Sequence, residues 1–528
     1  MPDLSRGRRM LVLAICCLSL LIVGLDSTIV NVALPSIRRD LHTSISGLQW
    51  TIDAYVLVIA SLLMLSGSTA DRIGRRRTFQ TGLVVFSAGS LLCSVAPSLG
   101  WLVTFRALQA VGGSMLNPVA MSIIVNTFTD SRERARAIGM WGGVMGISLA
   151  LGPVAGGLLI GSVGWRAIFW VNVPVGAAAI VLTALFVPES RASKPRRVDP
   201  VGQILMIIML ASLTYGIIEG PRSGWSSAKI IGCFVAAAVA LACLVAYELH
   251  HREPLIEVRF FRSAPFSGAT LIAVAAFAAL GGFLFLNTLY LQDVRGFSAL
   301  HAGLLLTPMA LMYIVFSPTS GRIVAARGPR LPLKVAGVAM MAGSAGLTMI
   351  ADTTAVGWLV AAYVVFGVGV GLVNAPITNT AVSGMPRSQA GVAAAVASTS
   401  RQIGQSLGVA VAGSAVTSRI HGPFAANFAA ASHVGWWIVT GCGGVVLAAG
   451  LATTTAWARR TAAATAARLA PETGQNVVTP QRLAPGRLAR SKPRLPASEF
   501  PPGHHEFQWW QRPPGRRPGE SGRWRAPQ

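Results

Sequence analysis

Stretches of about 20 apolar residues, the length a helix needs to cross a bilayer, recur along most of this chain. In hydrocarbon a backbone amide has no water to turn to, so each stretch must satisfy its own hydrogen bonds as a helix. Between polar breaks the runs fall near residues 10–34, 48–70, 79–97, 101–126, 136–160, 168–188, 201–219, 228–247, 266–291, 302–325, 332–350, 357–380, 391–416 and 434–457. They predict an all-α integral membrane protein with fourteen transmembrane helices. Only 12% of the 528 residues are charged, half the share of about 25% in soluble proteins. The first run, Met10 to Pro35, is too long for the apolar core of a signal peptide and no A-x-A cleavage site follows it; it reads as a retained first helix.

The net charge of +25 invites a nucleic-acid reading, but the basic residues are not clustered for that purpose. The N-terminus and every second loop hold roughly three times as many Lys and Arg as the opposite loops, which places both termini in the cytoplasm. An odd number of spans would destroy this alternation. "GSTADRIGRR" (Gly67 to Arg76) and "GRIVAARGPR" (Gly321 to Arg330) form a weak internal repeat. Each follows the second span of a set of six, as expected for two parallel six-helix halves around a central site. The expected organisation is an N-terminal six-helix bundle over 1–190 and an inserted helix pair over 191–263. A C-terminal bundle follows over 264–458. Residues 459–528 are rich in Pro, Arg and Gly and read as a disordered basic cytoplasmic tail. The six cysteines all lie in apolar spans without metal-ligand spacing, so neither a disulfide framework nor a metal site is expected.

Few charges lie within the spans: Asp26, Asp53, Arg106 and Arg401. An intramembrane charge costs at least a few kcal/mol and marks a functional site by default. Each has polar company at helical spacing. Ser27 and Asn31 accompany Asp26, and Gln49 precedes Asp53 by one turn. Arg106, Gln109, Gly113 and Asn117 share a face of span four, as do Arg401, Gln405 and Gly408 in span thirteen. Such stripes face a cavity or the bundle interior. The alternative for the acids is that Asp26 or Asp53 pairs with Arg106 simply to close the bundle; the residues around Arg401 could equally serve packing. In span five Gly142 and Gly146, and Gly152 and Gly156, are spaced for close helix approach, with Pro153 a kink point. "DRIGRRR" (Asp71 to Arg77) is a topogenic charge run, or a loop that latches neighbouring helices.

These residues resemble the major facilitator superfamily. "GSTADRIGRRR" resembles its loop 2–3 signature, carried here by Gly67, Asp71, Arg72, Gly74, Arg75 and Arg76. "RALQAVGGS" is similar to its fourth-helix signature, with Ala110 where glycine is usual. "GPVAGG" is similar to the fifth-helix antiporter signature at Gly152, Pro153, Gly156 and Gly157, with Ser148 replacing an upstream glycine. "LDSTIVNVALP", "WRAIFWVNVPVG", "YLQDVRGFSALHAGLLLTP" and "SRQIGQSLGVA" resemble the fourteen-helix drug:proton antiporter branch, the EmrB/QacA type. The resemblance spans about residues 10–457. Its departures at Ala110 and Ser148 put tight helix packing there in question.

The resemblance implies export of small amphipathic compounds, such as drugs or antibiotics, by exchange for protons, in a bacterial cell membrane. It makes Asp26, Asp53 and Arg106 the proton-coupling residues and Gly67, Asp71, Arg72, Gly74 and Arg75 a conformational latch. Asn31, Gln109, Asn117, Arg401 and Gln405 are the expected substrate-cavity residues. The expected partners are a small-molecule substrate, protons and membrane lipids, with no cofactor, no metal, no nucleic acid and a monomeric state. The rival transport reading is a proton-coupled metabolite transporter. From other classes come a membrane sensor with a basic tail and a membrane-embedded enzyme; the enzyme would need a nucleophile–base pair or metal ligands at membrane depth, where no histidine lies.

Overall fold

The computed structural model describes residues 5–192, 198–251, 254–383, 385 and 389–469. Among them every regular element is helical: α1 Arg6–Asp40, α2 Ile45–Ile73, α3 Arg75–Ser94, α4 Leu99–Thr127, α5 Ser131–Ser162, α6 Ala167–Trp170, α7 Asn172–Phe186, α8 Pro200–Ser223, α9 Ala228–His250, α10 Ala264–Leu289, α11 Ala299–Arg327, α12 Arg330–Ala345, α13 Val356–Val382, α14 Ala390–Thr417, α15 Phe424–Thr453 and α16 Ala456–Leu469. A helix underlies each apolar run. Among the described residues eleven helices are long and apolar enough to cross a membrane, with α6 and α7 counted as one. The remaining runs form α3, α12 and α14, which are shorter or carry more polar residues.

Local chemistry sets the breaks. The run at 168–188 divides because Pro174 has no N–H to give Trp170 and its ring crowds that carbonyl; α7 therefore starts afresh at Asn172. Ser44, Ser227 and Ser298 cap α2, α9 and α11 through their hydroxyls, each meeting one of the amides a helix start leaves free. Two boundaries differ from the sequence reading. The last span begins at Phe424, ten residues before the expected 434, because the Ala-rich stretch after Pro423 is a good helix former without being strongly apolar. The tail expected from 459 instead opens as α16, with Ala458, Ala462 and Thr465 buried. Thr461 Oγ1 accepts from the Ala264 amide at 3.0 Å, tying α16 to the start of α10. The rest of the expected tail lies outside the described residues.

The helix pairings repeat. In the first part α1 packs on α5, α2 and α3 on α4, and α3 on α7; in the second α10 packs on α14, α11 and α12 on α13, and α12 on α15. Between the parts, α5 packs on α11 and α2 on α14. The α8–α9 hairpin stands beside this second seam. Gln203 donates to Ser61 O of α2 at 2.6 Å, and Ser414 of α14 donates to Ile217 O of α8 at 2.6 Å.

The loops gather at two ends that match the alternation in arginine. At the arginine-rich end Arg9 pairs with Glu133 at 2.9 Å, and the Arg75 amide bonds Ser190 O at 2.9 Å. At the arginine-poor end Trp165 donates to Asp40 at 2.9 Å and Arg166 to Ala96 O at 3.2 Å.

Candidate functional site

Asp26 lies midway along α1 with no exposed surface. Arg106 of α4 donates to its Oδ2 at 2.5 Å. Its Oδ1 accepts from Gln109 Nε2 at 2.9 Å and Asn172 Nδ2 at 3.0 Å. Ser90 of α3 accepts from both amides, at 3.2 and 3.0 Å, and donates onward to Phe169 O. Arg106 is satisfied in turn: it donates to Gln109 Oε1 at 2.8 Å and to Thr51 O at 3.3 Å, and its guanidinium lies 4.0 Å from the Tyr55 ring centroid. Five helices thus meet at one neutralised ion pair. The auxiliary hydrogen bonds and the mutual attraction of the pair offset the desolvation penalty that burying its two charges incurs.

Asp53 is equally buried but lies apart from this network. Ser406 of α14 is beside it, yet neither carboxyl oxygen has a hydrogen-bond partner in good geometry. It sits in the α2–α14 seam, one turn beyond Gln49, whose Nε2 donates to Val409 O at 3.1 Å and Ala410 O at 2.8 Å. Of the two acids the sequence offered to Arg106, the structure chooses Asp26.

Among the described residues no hydrogen bond joins any two of the five expected cavity residues. Gln109 belongs to the Asp26 network and has no exposed surface. Asn31 donates to Ser27 O of its own helix at 3.1 Å. Asn117 Oδ1 is buried without a partner, and Gln405 is partly exposed on α14. Arg401 donates to Thr378 Oγ1 at 2.5 Å and to Ser398 Oγ at 3.2 Å.

The glycines of α5 make two contacts. Gly152 and Gly156 leave room for Thr28 and Ile29 of α1, and a side chain on Gly157 would meet the backbone of Ala299 and Leu300 on α11. Gly303 of α11 abuts the Pro153 carbonyl in return. Ser148 does not loosen this packing. Gly24 of α1 lies opposite its hydroxyl, so the small residue has moved across the interface. Ala110 is wholly buried.

At the arginine-rich end, Asp71 Oδ1 pairs with Arg75 Nη2 at 2.9 Å. Gly74 turns with φ +126°, a region side chains avoid. Beneath it Glu189 accepts the Arg76 and Arg77 amides at 3.1 and 3.3 Å, so a carboxylate from the segment after α7 caps α3. Ala192 N returns a bond to Asp71 O at 3.2 Å. Gly67 has open space around it and Arg72 is exposed; neither joins this clasp. Sequence reading missed Glu189, Ser90 and Asn172. For Asn172 there was a signal: a polar side chain next to Pro174 in an otherwise apolar run.

A family model described as Major Facilitator Superfamily matches residues 16–409. The chain belongs to the major facilitator superfamily. Members of this family are transporters, and this one is a multi-span protein of the cell membrane. Its relatives include "Multidrug resistance protein Stp" of Mycobacterium tuberculosis, 35% identical over 76% of this chain and 74% of that one. They also include "Tetracenomycin C resistance and export protein" of Streptomyces glaucescens, 36% identical over 81% of this chain and 79% of that one. Among solved structures, the POT family transporter PepTSo superposes with a TM-score of 0.62 at 15% identity, covering 87% of this chain and 99% of that one. This is a likeness of fold.

Proposed function

We propose that the protein is a proton-coupled antiporter of the fourteen-helix drug-efflux branch, exporting small amphipathic compounds such as drugs or antibiotics, the host's own product among them. Two six-helix halves, α1–α7 and α10–α15, rock about the α5–α11 and α2–α14 seams, with α8–α9 inserted between them in sequence. The arginine-rich end and both termini face the cytoplasm. The repeated helix pairing and the alternation of arginine support this arrangement.

The observation that carries the coupling is Asp53, a buried carboxyl in the α2–α14 seam that has the Ser406 hydroxyl beside it but no hydrogen bond in good geometry. Closing a seam over an unpartnered carboxylate costs several kcal/mol, whereas closing it over the neutral acid costs far less. Protonation from outside therefore favours the state closed at the outer end, and loss of the proton inside favours its reopening. The inter-half bonds support this reading. Among the described residues, hydrogen bonds between the two halves lie toward the arginine-poor end: Gln49 to Val409 O and Ala410 O, Gln292 to Val32 O at 2.9 Å, and Arg38 to Asp293 at 3.3 Å. Asp26, held by Arg106, is the second proton-coupling acid, available when movement of α1 against α4 weakens that pair. Each proton moved inward releases about 2.3 kcal/mol per 100 mV and about 1.4 kcal/mol per pH unit, enough for tenfold or greater concentration of substrate outside.

The test is acid-driven uptake of a fluorescent amphiphile into everted membrane vesicles. Uptake that collapses with a protonophore and is abolished in Asp53→Asn supports the reading; uptake indifferent to the gradient refutes it.

A further inference from the structure

The two intramembrane arginines differ in one respect. Arg106 has a carboxylate; Arg401 does not. Among the described residues the guanidinium of Arg401 donates hydrogen bonds only to hydroxyls, those of Thr378 and Ser398, and its Nε is buried without a hydrogen-bond partner. No ion pair among the described residues includes it. Nor has α10–α16 an acid to spare: residues 264–469 hold only Asp293 and Asp352. Asp293 pairs with Arg38 at the arginine-poor end, and Asp352 lies in the loop before α13. An unpaired charge at membrane depth is among the most costly arrangements a fold can retain, and such residues keep a partner among ions, water or ligand.

Polar and aromatic groups of neighbouring helices surround the Arg401 guanidinium. Tyr313 of α11, whose phenol lies within electrostatic range of the guanidinium, accepts from Asn374 Nδ2 at 3.3 Å. The Phe277 ring of α10 lies 6.0 Å from it. Three helices thus present hydroxyl, amide and aromatic groups around one fixed positive charge. Arg401 stands about three turns into α14 from the arginine-rich end, Thr378 is exposed one turn from the end of α13, and the inter-half bonds named above lie at the other end.

We infer that Arg401 is the recognition point for an anionic oxygen group on the exported molecule, a carboxylate or acidic enol or phenol attached to an apolar body. This rests on the export reading and names its substrate class as amphipathic acids. The guanidinium presents paired N–H donors that suit such a group. Nη1 and Nη2 are held by hydroxyls that can turn to the ligand, and Nε is unused. The ring of Phe277 and the body of Tyr313 supply apolar contact. The bound anion supplies the missing counter-charge.

Three probes with a common body test this: 1-pyrenebutyrate, 1-pyrenebutanol and a pyrenebutyl trimethylammonium salt, titrated by fluorescence against the purified full chain in detergent and chloride-free buffer. No gradient is present, so the outcome is independent of whether transport is proton-driven. The wild type is expected to bind the butyrate at least tenfold more tightly than the alcohol or the ammonium. Arg401→Gln should reduce that preference to near unity while leaving alcohol affinity within about twofold, and Arg401→Lys should keep part of it. Should Arg401→Gln fail to fold, the wild-type ranking and the Lys variant still decide. Equal binding of acid and alcohol by the wild type, no binding of the butyrate, or a preference unchanged in a folded Arg401→Gln protein overturns the assignment.

Discussion

Asp26 and Asp53 are both wholly buried on adjacent helices, yet Arg106 bonds only the first. One acid is thereby fixed as half of an ion pair, and the other is left in a seam between the halves where a neutral, proton-bearing carboxyl suits the surroundings. The two positions should respond differently to the same chemical change.

Asp53→Asn imitates the protonated acid permanently. The variant should fold with stability equal to or above the wild type, since no carboxyl remains to be desolvated. It should favour the state closed at the arginine-poor end. Gradient-driven export should fall at least tenfold. A thiol placed at Ser406 should be labelled from outside more slowly than in an otherwise wild-type chain. Faster labelling would contradict the role given to the seam.

Arg106→Ala should destabilise the folded protein by about 3–5 kcal/mol, because it strands Asp26 among neutral amides. Adding Asp26→Asn should recover part of that loss, as removal of the stranded charge requires. Thermal unfolding in detergent measures both. The single variant should also hold its proton on Asp26 and export poorly, with partial recovery as cytoplasmic pH is raised; Arg106→Lys should retain some activity. Failure that is independent of pH in a folded protein would place Arg106 in structure alone.

Glu189→Ala removes the carboxylate that caps α3 and seats the α2–α3 turn. The expected result is a maximal rate lowered about three- to tenfold with little change in the substrate concentration for half-maximal export. Gly74→Leu should do the same more severely, being strained in backbone and opposed by Glu189. A change confined to apparent affinity would mean that this clasp touches substrate.

Gly157→Leu would drive a side chain into the backbone of α11, and Gly303→Leu into the Pro153 carbonyl. Each should prevent closure at the arginine-poor end and abolish export without preventing membrane insertion. A cysteine at Gln49 should then be labelled from outside faster than in the wild type. Normal export by either variant would show that α5 and α11 need not approach this closely.

What the sequence determined by itself is what depends on near neighbours along the chain. Apolar runs of bilayer length must be helices, and loop arginines sort the ends, so the helix succession and the two sets of loops were legible before any coordinates. Asp26, Arg106 and Gln109 were legible too, because a charge among apolar residues stands out and helical spacing puts Arg106 and Gln109 on one face. What only the tertiary structure decided is which residue meets which across helices. Whether Arg106 takes Asp26 or Asp53, whether Ser148 is crowded or met by Gly24, and whether Glu189 reaches the amides of Arg76 and Arg77 each depend on how two helices are rotated and how closely they approach. That rotation is set by the packing of all the surrounding side chains at once. The extent of α16 belongs here as well: the Ala-rich stretch is helical by propensity, but it is the contact of Thr461 with the start of α10 that anchors it.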